Sequence, residues 1–244
     1  MSLAERAGPM WRFWISDAYT RPAGIASIAR TLSDPGPPAA AVANFWKPEQ
    51  WSRLGDAVQE LNWQRMLVLR EGENVRAAAE AEFEAAPASA RFSRHDRAVG
   101  IDRALDDPDA VSAPARQVLR EFFAFSVLTP ALATWVSEVL GCSTLKAATI
   151  EISRFGEGDF IAPHDDCVGE RRCNLVSYLD PDYTEGDGGC LAVAGAGAAG
   201  EAVFRPCFNT AILLPIAPQN RHWVEPWRAA TGRRAVSISF VGEN

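Results

Sequence analysis

Residues 159–166 read Asp-Phe-Ile-Ala-Pro-His-Asp-Asp, and this stretch decides how the second half of the chain is interpreted. Up to its histidine it is predicted to be a short β-strand, with turn residues on both sides. Side chains two residues apart in a strand point to the same face, so His164 and Asp166 are predicted to project together, and Asp165 away from them. One imidazole and one carboxylate on a common face make half of a metal site.

The sequence around this stretch continues as short β-like runs that turn residues separate. The predicted strands are residues 148–155, 159–164, 173–178, 189–193, 202–204, 211–215, 222–225 and 235–241. Seven or eight short strands of this kind are typical of a sandwich or a barrel.

The first 142 residues predict helices more than strands. The predicted helices begin at Pro48 and lie near residues 114–125 and 130–140. Residues 63–69 are a predicted strand, and the first 45 residues are interpreted as an irregular arm with one short helix or strand at most. The charged segment 92–109 is poorly periodic and is interpreted as a loop, with His95 solvated inside it.

Composition and charge limit the partners and the location that we expect. The chain of 244 residues has 24 Lys and Arg against 31 Asp and Glu, a net charge of −7, which argues against nucleic acid or a membrane surface as a partner. No apolar run approaches the roughly 20 residues of a spanning helix. Five cysteines without a CxxC pair indicate reduced thiols in a cytoplasmic protein. We expect one domain over residues 1–244, with mainly helical support over 1–142 and a barrel over 143–244.

A second histidine would complete the metal site. Two histidines and one carboxylate form the facial site that leaves positions open on non-haem Fe(II). His222 lies in a later predicted strand and is the only histidine besides His164 in the β-rich half. Each residue also has a simpler interpretation, because an HxD pair or a single histidine is more often an ordinary surface or core feature.

The ordered set of motifs in this half resembles the 2-oxoglutarate/Fe(II)-dependent oxygenases, in their prolyl-hydroxylase-like branch. In chain order the motifs are Gly158-Asp159-Phe160, His164-Asp165-Asp166, Arg171-Arg172, Tyr178-Leu179, Gly188-Gly189-Cys190-Leu191, Leu213-Leu214-Pro215, His222-Trp223-Val224 and Arg233-Arg234. The resemblance implies an α+β fold. Its core would be a double-stranded β-helix, a cupin-like jelly roll, with the N-terminal helices packed on the outer face.

The resemblance also implies a cofactor and a cosubstrate. His164, Asp166 and His222 match the ligands of Fe(II), and 2-oxoglutarate would chelate the same iron. Tyr178 falls where the family often places a hydroxyl on the far carboxylate of 2-oxoglutarate; a core aromatic is the alternative. Phe155 stands where the animal prolyl hydroxylases carry a tyrosine, so that hydrogen bond is expected to be lost or replaced.

The far carboxylate of 2-oxoglutarate needs a cationic partner, and a guanidinium offers a bidentate match. Arg233 and Arg234 compete for this role. Arg233 is followed at alternate positions by Ala235, Ser237 and Ser239, a small and partly polar set that suits a cavity wall. Arg234 is followed by apolar residues that suit a packed face. We therefore expect Arg233 to bind 2-oxoglutarate.

The resemblance implies an Fe(II)- and 2-oxoglutarate-dependent dioxygenase that uses O2 to oxidise an aliphatic C–H bond, with 2-oxoglutarate converted to succinate. Hydroxylation is the simplest outcome. A compact chain favours a small-molecule substrate, either a free amino acid or a related metabolite. A hydroxylase of prolyl or other residues in proteins is the alternative. A non-catalytic cupin-like binding module and a metal-dependent hydrolase or isomerase also stay open, and neither of these would need Arg233.

Overall fold

The computed structural model describes residues 11–33, 38–194 and 200–242. The principal helices are α1 (Pro22–Ser33), α2 (Pro48–Gln59), α3 (Glu80–Ala85), α4 (Ile101–Asp106), α5 (Ala113–Phe123) and α6 (Ala131–Leu140). The strands of the first half are β1 (Ala40–Val42), β2 (Asn62–Glu71), β3 (Asn74–Ala77) and β4 (Arg91–Val99). Those of the second half are β5 (Leu145–Phe155), β6 (Phe160–His164), β7 (Arg171–Tyr178), β8 (Leu191–Ala194), β9 (Glu201–Phe204), β10 (Ala211–Pro215), β11 (His222–Val224) and β12 (Arg233–Gly242). All strands predicted after residue 143 are present, with bounds that shift by three residues at most.

The described strands form a nearly closed antiparallel barrel. Their order is β1-β10-β7-β12-β5-β4-β6-β11-β8-β9, with β2 beside β4 and β3 beside β2. The long strand β12 pairs with β5 from Arg233 opposite Phe155 to Gly242 opposite Leu145, and with β7 on its other side. Together with the helices, this jelly-roll arrangement confirms the predicted α+β fold.

The N-terminal helices cover the outer face of the barrel around β12. The apolar face of β12 is buried in one cluster with Trp51 of α2; its members on this strand are Val236, Ile238 and Phe240. The indole Nε1 of Trp51 also donates a hydrogen bond of 2.7 Å to the carbonyl oxygen of Tyr178. Hydrophobic burial and this bond therefore anchor the end of β7 to the helical layer.

Two predictions for the N-terminal half are wrong. Residues 92–109 are not a loop, because they contain most of β4 and all of α4, and β4 lies between β5 and β6 in the barrel. His95 on β4 is buried, with 7% exposure. Polar and charged side chains lie on both faces of β4, so its sequence lacks the alternation of apolar and polar residues that predicts a strand. The expected irregular arm contains both the 12-residue helix α1 and the strand β1, more than the one short element predicted; its residues 1–10 and 34–37 lie outside the described residues.

The first 142 residues contribute strands as well as helices. Four of the twelve described strands lie there, and β4 closes the barrel wall between β5 and β6. The single domain over residues 1–244 stays a prediction. Within the described residues no single helix is long and apolar enough to span a membrane. The helix α5, which a π-helical turn continues to Leu128, reaches that length and composition only together with α6, across a bend.

Candidate active site

The three predicted metal ligands converge at one end of the barrel. His164 ends β6, His222 begins β11, and the two residues pair directly across the sheet. Nε2 of His164 lies 3.6 Å from Oδ1 of Asp166, and Nε2 of His222 lies 3.4 Å from its Oδ2. One ligand atom from each residue lies within 4.8 Å of the others, and the described residues contain no second cluster of this kind. Two imidazoles and one carboxylate are a donor set that suits Fe(II).

The approach of Asp166 to His164 comes from a turn and not from the pleat of a strand. β6 ends at His164, and Asp166 has a left-handed backbone with φ of 56°. Aspartate tolerates this conformation better than most residues. Oδ1 of Asp165 accepts the backbone N–H of Cys167 at 3.0 Å and stabilises the turn. The side chains of His164 and Asp166 are therefore close, as predicted, but alternation along a strand is not the reason.

Backbone carbonyls orient both imidazoles. Nδ1 of His164 lies 2.9 Å from the carbonyl oxygen of Ala162, and Nδ1 of His222 lies 3.2 Å from that of Asn220. A carbonyl oxygen can only accept, so each Nδ1 donates to it and each Nε2 is left facing Asp166. Burial lowers the pKa of His164, and the neighbouring His222 lowers it further. A neutral ring is the form that binds a metal.

Two side chains from β7 hold the carboxylate of Asp166. Nδ2 of Asn174 donates to Oδ2 at 2.7 Å, and Nη1 of Arg171 lies 3.1 Å from Oδ1. Asn174 in turn accepts a hydrogen bond of 2.8 Å from the hydroxyl of Ser239 on β12. Burial on its own raises the pKa of Asp166, but the two histidines and Arg171 outweigh it and hold the pKa well below its usual range.

Asn174 and Arg171 have no predicted role. Alternation backward from Tyr178 along β7 puts Asn174 on the cavity face, so the signal for it was present. Arg171 could not be found in this way, because the pairing of β7 with β12 shifts register between Cys173 and Arg171.

A cavity of about 190 Å³ extends from the triad into the barrel, and Arg233 lines it. The Arg233 side chain is nearly inaccessible at 2% exposure. Its guanidinium carbon lies 4.7 Å from the ring centroids of both Phe155 and Tyr178. Phe155 therefore offers its ring face to a cation where the animal prolyl hydroxylases carry a tyrosine.

The polar atoms at Arg233 fit an anionic group. Nε and Nη1 of Arg233 and the hydroxyl of Tyr178 are buried without a hydrogen-bond partner among the described residues. A buried guanidinium without an anion costs several kcal/mol, roughly the penalty of one unpaired buried ion. A carboxylate at this point would pair with these donors. Burial raises the pKa of Tyr178, although Arg233 opposes this, so the hydroxyl keeps its proton and can donate.

Arg234 faces away from the cavity. Its Nε and Nη2 donate to Oδ1 of Asp180 at 2.8 and 2.6 Å, and its Nη1 donates to the carbonyl oxygen of Gly55 on α2 at 2.8 Å. The alternate residues after Arg233 line the cavity, as expected; they are Ala235, Ser237 and Ser239. Arg234 thus ties the start of β12 to the helical layer, and Asp180 is its partner.

A buried carboxylate secures the turn that leads into β6. Asp159 is fully buried, and its carboxylate accepts hydrogen bonds of 2.7 and 2.5 Å from Arg65 and of 3.1 Å from Arg94. Oδ2 of Asp159 also accepts the backbone N–H of Gly156 at 2.9 Å. These contacts join β2 and β4 to the segment that carries His164.

A larger cavity of about 580 Å³ lies against the start of β12, and the triad takes no part in its lining. Two of its charged side chains are already in ion pairs, Arg154 with Asp96 and Arg234 with Asp180. The smaller cavity is therefore the better candidate for chemistry.

Known proteins resemble both the sequence and the fold. Residues 150–241 match the model of the 2OG-Fe(II) oxygenase superfamily. Over 95 residues the chain is 28% identical to prolyl 3-hydroxylase OGFOD1 of Xenopus laevis, which is 37% of this chain but 19% of that relative. The chain thus spans about a fifth of the curated relative that it matches.

Solved structures share the architecture across almost the whole chain. A 2OG-Fe(II) oxygenase family oxidoreductase from Burkholderia pseudomallei covers 92% of this chain, and this chain covers 93% of it, with a TM-score of 0.61 and 18% identity. A prolyl hydroxylase from Trichoplax adhaerens, in complex with a fragment of the hypoxia inducible factor, covers 97% of this chain, and this chain covers 91% of it, with a TM-score of 0.60 and 14% identity. At these identities the structures show the fold alone. Residues 150–241 thus resemble the 2OG-Fe(II) oxygenase superfamily in sequence, and almost the whole chain shares the fold of solved structures that include a member of that family.

Proposed function

We propose that the protein is an Fe(II)- and 2-oxoglutarate-dependent dioxygenase that hydroxylates an aliphatic C–H bond of a free amino acid or a related small metabolite. One observation carries the proposal: a two-histidine, one-carboxylate cluster and a buried guanidinium without a partner line the same cavity. A simple metal-binding module or a metal hydrolase has no use for that guanidinium.

The proposed roles follow from the donor atoms. His164, Asp166 and His222 would hold Fe(II), and Arg233 with Tyr178 would hold the far carboxylate of 2-oxoglutarate. Iron held by these three residues would supply the activation of O2. The balanced reaction converts the substrate C–H bond, O2 and 2-oxoglutarate into an alcohol, succinate and CO2. The chain itself orients the reactants and keeps water from the site.

The cavity admits only a small reacting group. Its volume of about 190 Å³, which 2-oxoglutarate also has to share, is below the roughly 300–1,000 Å³ of pockets that enclose drug-sized ligands. The second candidate is the hydroxylation of a prolyl residue in a protein, which the names of the Xenopus and Trichoplax relatives favour. A cytoplasmic location, without nucleic acid or membrane as a partner, is also proposed, from the charge and the cysteines.

The test is an anaerobic titration of the apoprotein with Fe(II) and 2-oxoglutarate. We expect a weak visible charge-transfer band that needs both components and disappears in His164→Ala. The absence of a band at saturating concentrations would contradict the dioxygenase. Free amino acids and proline-containing peptides are then compared as stimulants of succinate release in air. Stimulation by peptides alone would favour the second candidate.

A further inference from the structure

One charged side chain of the cavity has no part in the proposed iron and 2-oxoglutarate sites. Glu151 of β5 lies on the same face as Ser153 and Phe155 and lines the cavity together with His164 and Asp166. Its side chain is 41% exposed, so a ligand that enters from solvent can reach the carboxylate.

Two side chains of β4 contact Glu151. Nε2 of His95 lies 3.8 Å from Oε1, and Nε of Arg97 lies 3.7 Å from Oε2. Both distances exceed that of a hydrogen bond, so the oxygens keep accepting capacity. The His95 ring stacks on Phe155 with the centroids 5.4 Å apart, which fixes the imidazole edge toward Glu151. The approach of His95 lowers the pKa of Glu151 against the effect of burial, and Arg97 lowers it further.

The other charged groups of the cavity are occupied. Asp166 is bound by Asn174 and Arg171, and Arg233 would pair with 2-oxoglutarate. Glu151 is therefore an ionised carboxylate in the lining that still lacks close donors among the described residues. An ammonium group supplies up to three N–H donors and the opposite charge, which makes it the natural complement.

We infer that Glu151 binds the ammonium group of a free amino acid substrate. The inference rests on the proposed function and names the chemistry that selects the substrate. It also separates the two candidate functions, because a prolyl residue inside a protein has an amide nitrogen and no positive charge. His95 and Arg97 act as positioning residues that hold the Glu151 carboxylate in the cavity.

The experiment uses the full-length protein, loaded anaerobically with Fe(II) and 2-oxoglutarate so that no turnover occurs. The twenty common L-amino acids are titrated one by one by calorimetry. The N-acetyl derivative of the tightest binder follows, because acetylation removes the positive charge. Glu151→Gln is compared with Glu157→Gln, which makes the same charge change at an exposed position in the turn after β5.

We expect at least one amino acid to bind, and its N-acetyl derivative to bind about 10- to 100-fold more weakly, the usual effect of losing a charge-assisted hydrogen bond. Glu151→Gln should weaken the binding of the free amino acid by a similar factor, whereas Glu157→Gln should leave the affinity for that amino acid unchanged. Equal binding by Glu151→Gln, equal binding of the acetylated compound, or no binding of any amino acid would overturn the inference. The charge-transfer band in the same samples separates these results from a failure of the proposed function, since only the latter removes the band.

Discussion

The amide of Asn174 joins the carboxylate of Asp166 to the hydroxyl of Ser239. Nδ2 of Asn174 donates to Asp166 at 2.7 Å, and Oδ1 accepts from Ser239 at 2.8 Å. Asp166 stands beyond the end of β6, where no strand pairing orients it. This relay of hydrogen bonds, from Ser239 on β12 through Asn174 on β7, therefore sets the direction in which the Asp166 carboxylate points.

Replacing Asn174 should weaken the metal site. Asn174→Ala removes the donor to Asp166, and we expect Fe(II) affinity to fall about 10- to 100-fold, as for other outer-shell partners of metal ligands. Anaerobic calorimetry of the apoprotein measures the affinity. Ser177→Ala, on the same strand but opposite face, is the control and should bind Fe(II) as the wild type does. Unchanged affinity in Asn174→Ala would show that Asp166 is oriented without the relay.

Substitutions of the two neighbouring arginines should have different effects, one on cosubstrate binding and the other on stability. Arg233→Lys keeps the charge but loses the planar fork, so we expect 2-oxoglutarate affinity to fall about 10-fold or more. Arg234→Lys breaks contacts to Asp180 and Gly55 and should lower the melting temperature while leaving that affinity unchanged. The charge-transfer titration and a thermal melt measure the two effects. The reverse pattern would assign the cosubstrate to Arg234.

The buried carboxylate of Asp159 should be important for stability. Asp159→Asn removes the buried anion of Arg65 and Arg94, whose remaining pairs are with the more exposed Asp96 and Glu84. We expect the free energy of unfolding to drop by about 2–3 kcal/mol, and the partly exposed arginines keep the loss below that of a fully buried pair. Glu185→Gln breaks the exposed pair with Arg205 and should cost under about 1 kcal/mol. Urea unfolding compares them, and equal losses would refute a special role for Asp159.

Two tyrosines should make the fold sensitive to alkali. Burial raises the pKa of Tyr183 to about 12 and also raises the pKa of Tyr178. The unfolded chain ionises near pH 10, so at higher pH the folded state holds protons that the unfolded state has lost. Stability is therefore complete below about pH 10 and declines above it. Urea midpoints measured across this range should fall less steeply in Tyr183→Phe and in Tyr178→Phe; slopes equal to the wild type would contradict the prediction.

The strands of the second half and the two faces of β12 are predictable from local sequence. Short apolar runs between turn residues are local signals, and alternation along a strand is a local geometric rule. Ala235, Ser237 and Ser239 therefore identified the cavity face that includes Arg233, and Val236, Ile238 and Phe240 identified the packed face. The same rule places Asn174 on the cavity face of β7, but it does not identify Asp166 as the partner of Asn174.

The role of β4, the turn at Asp166 and the surroundings of Glu151 depend on contacts that form only in the folded chain. The polar residues of β4 find their partners on other strands, as His95 does with Glu151 and Phe155. Sequence periodicity reports which side chains are apolar, and it is silent about polar groups that are buried because a distant residue satisfies them. The carboxylate of Asp166 is likewise oriented by Asn174 on β7 and by His222 on β11, which is remote in sequence. Burial and long-range hydrogen bonding, which no local pattern encodes, bring these groups into one cavity.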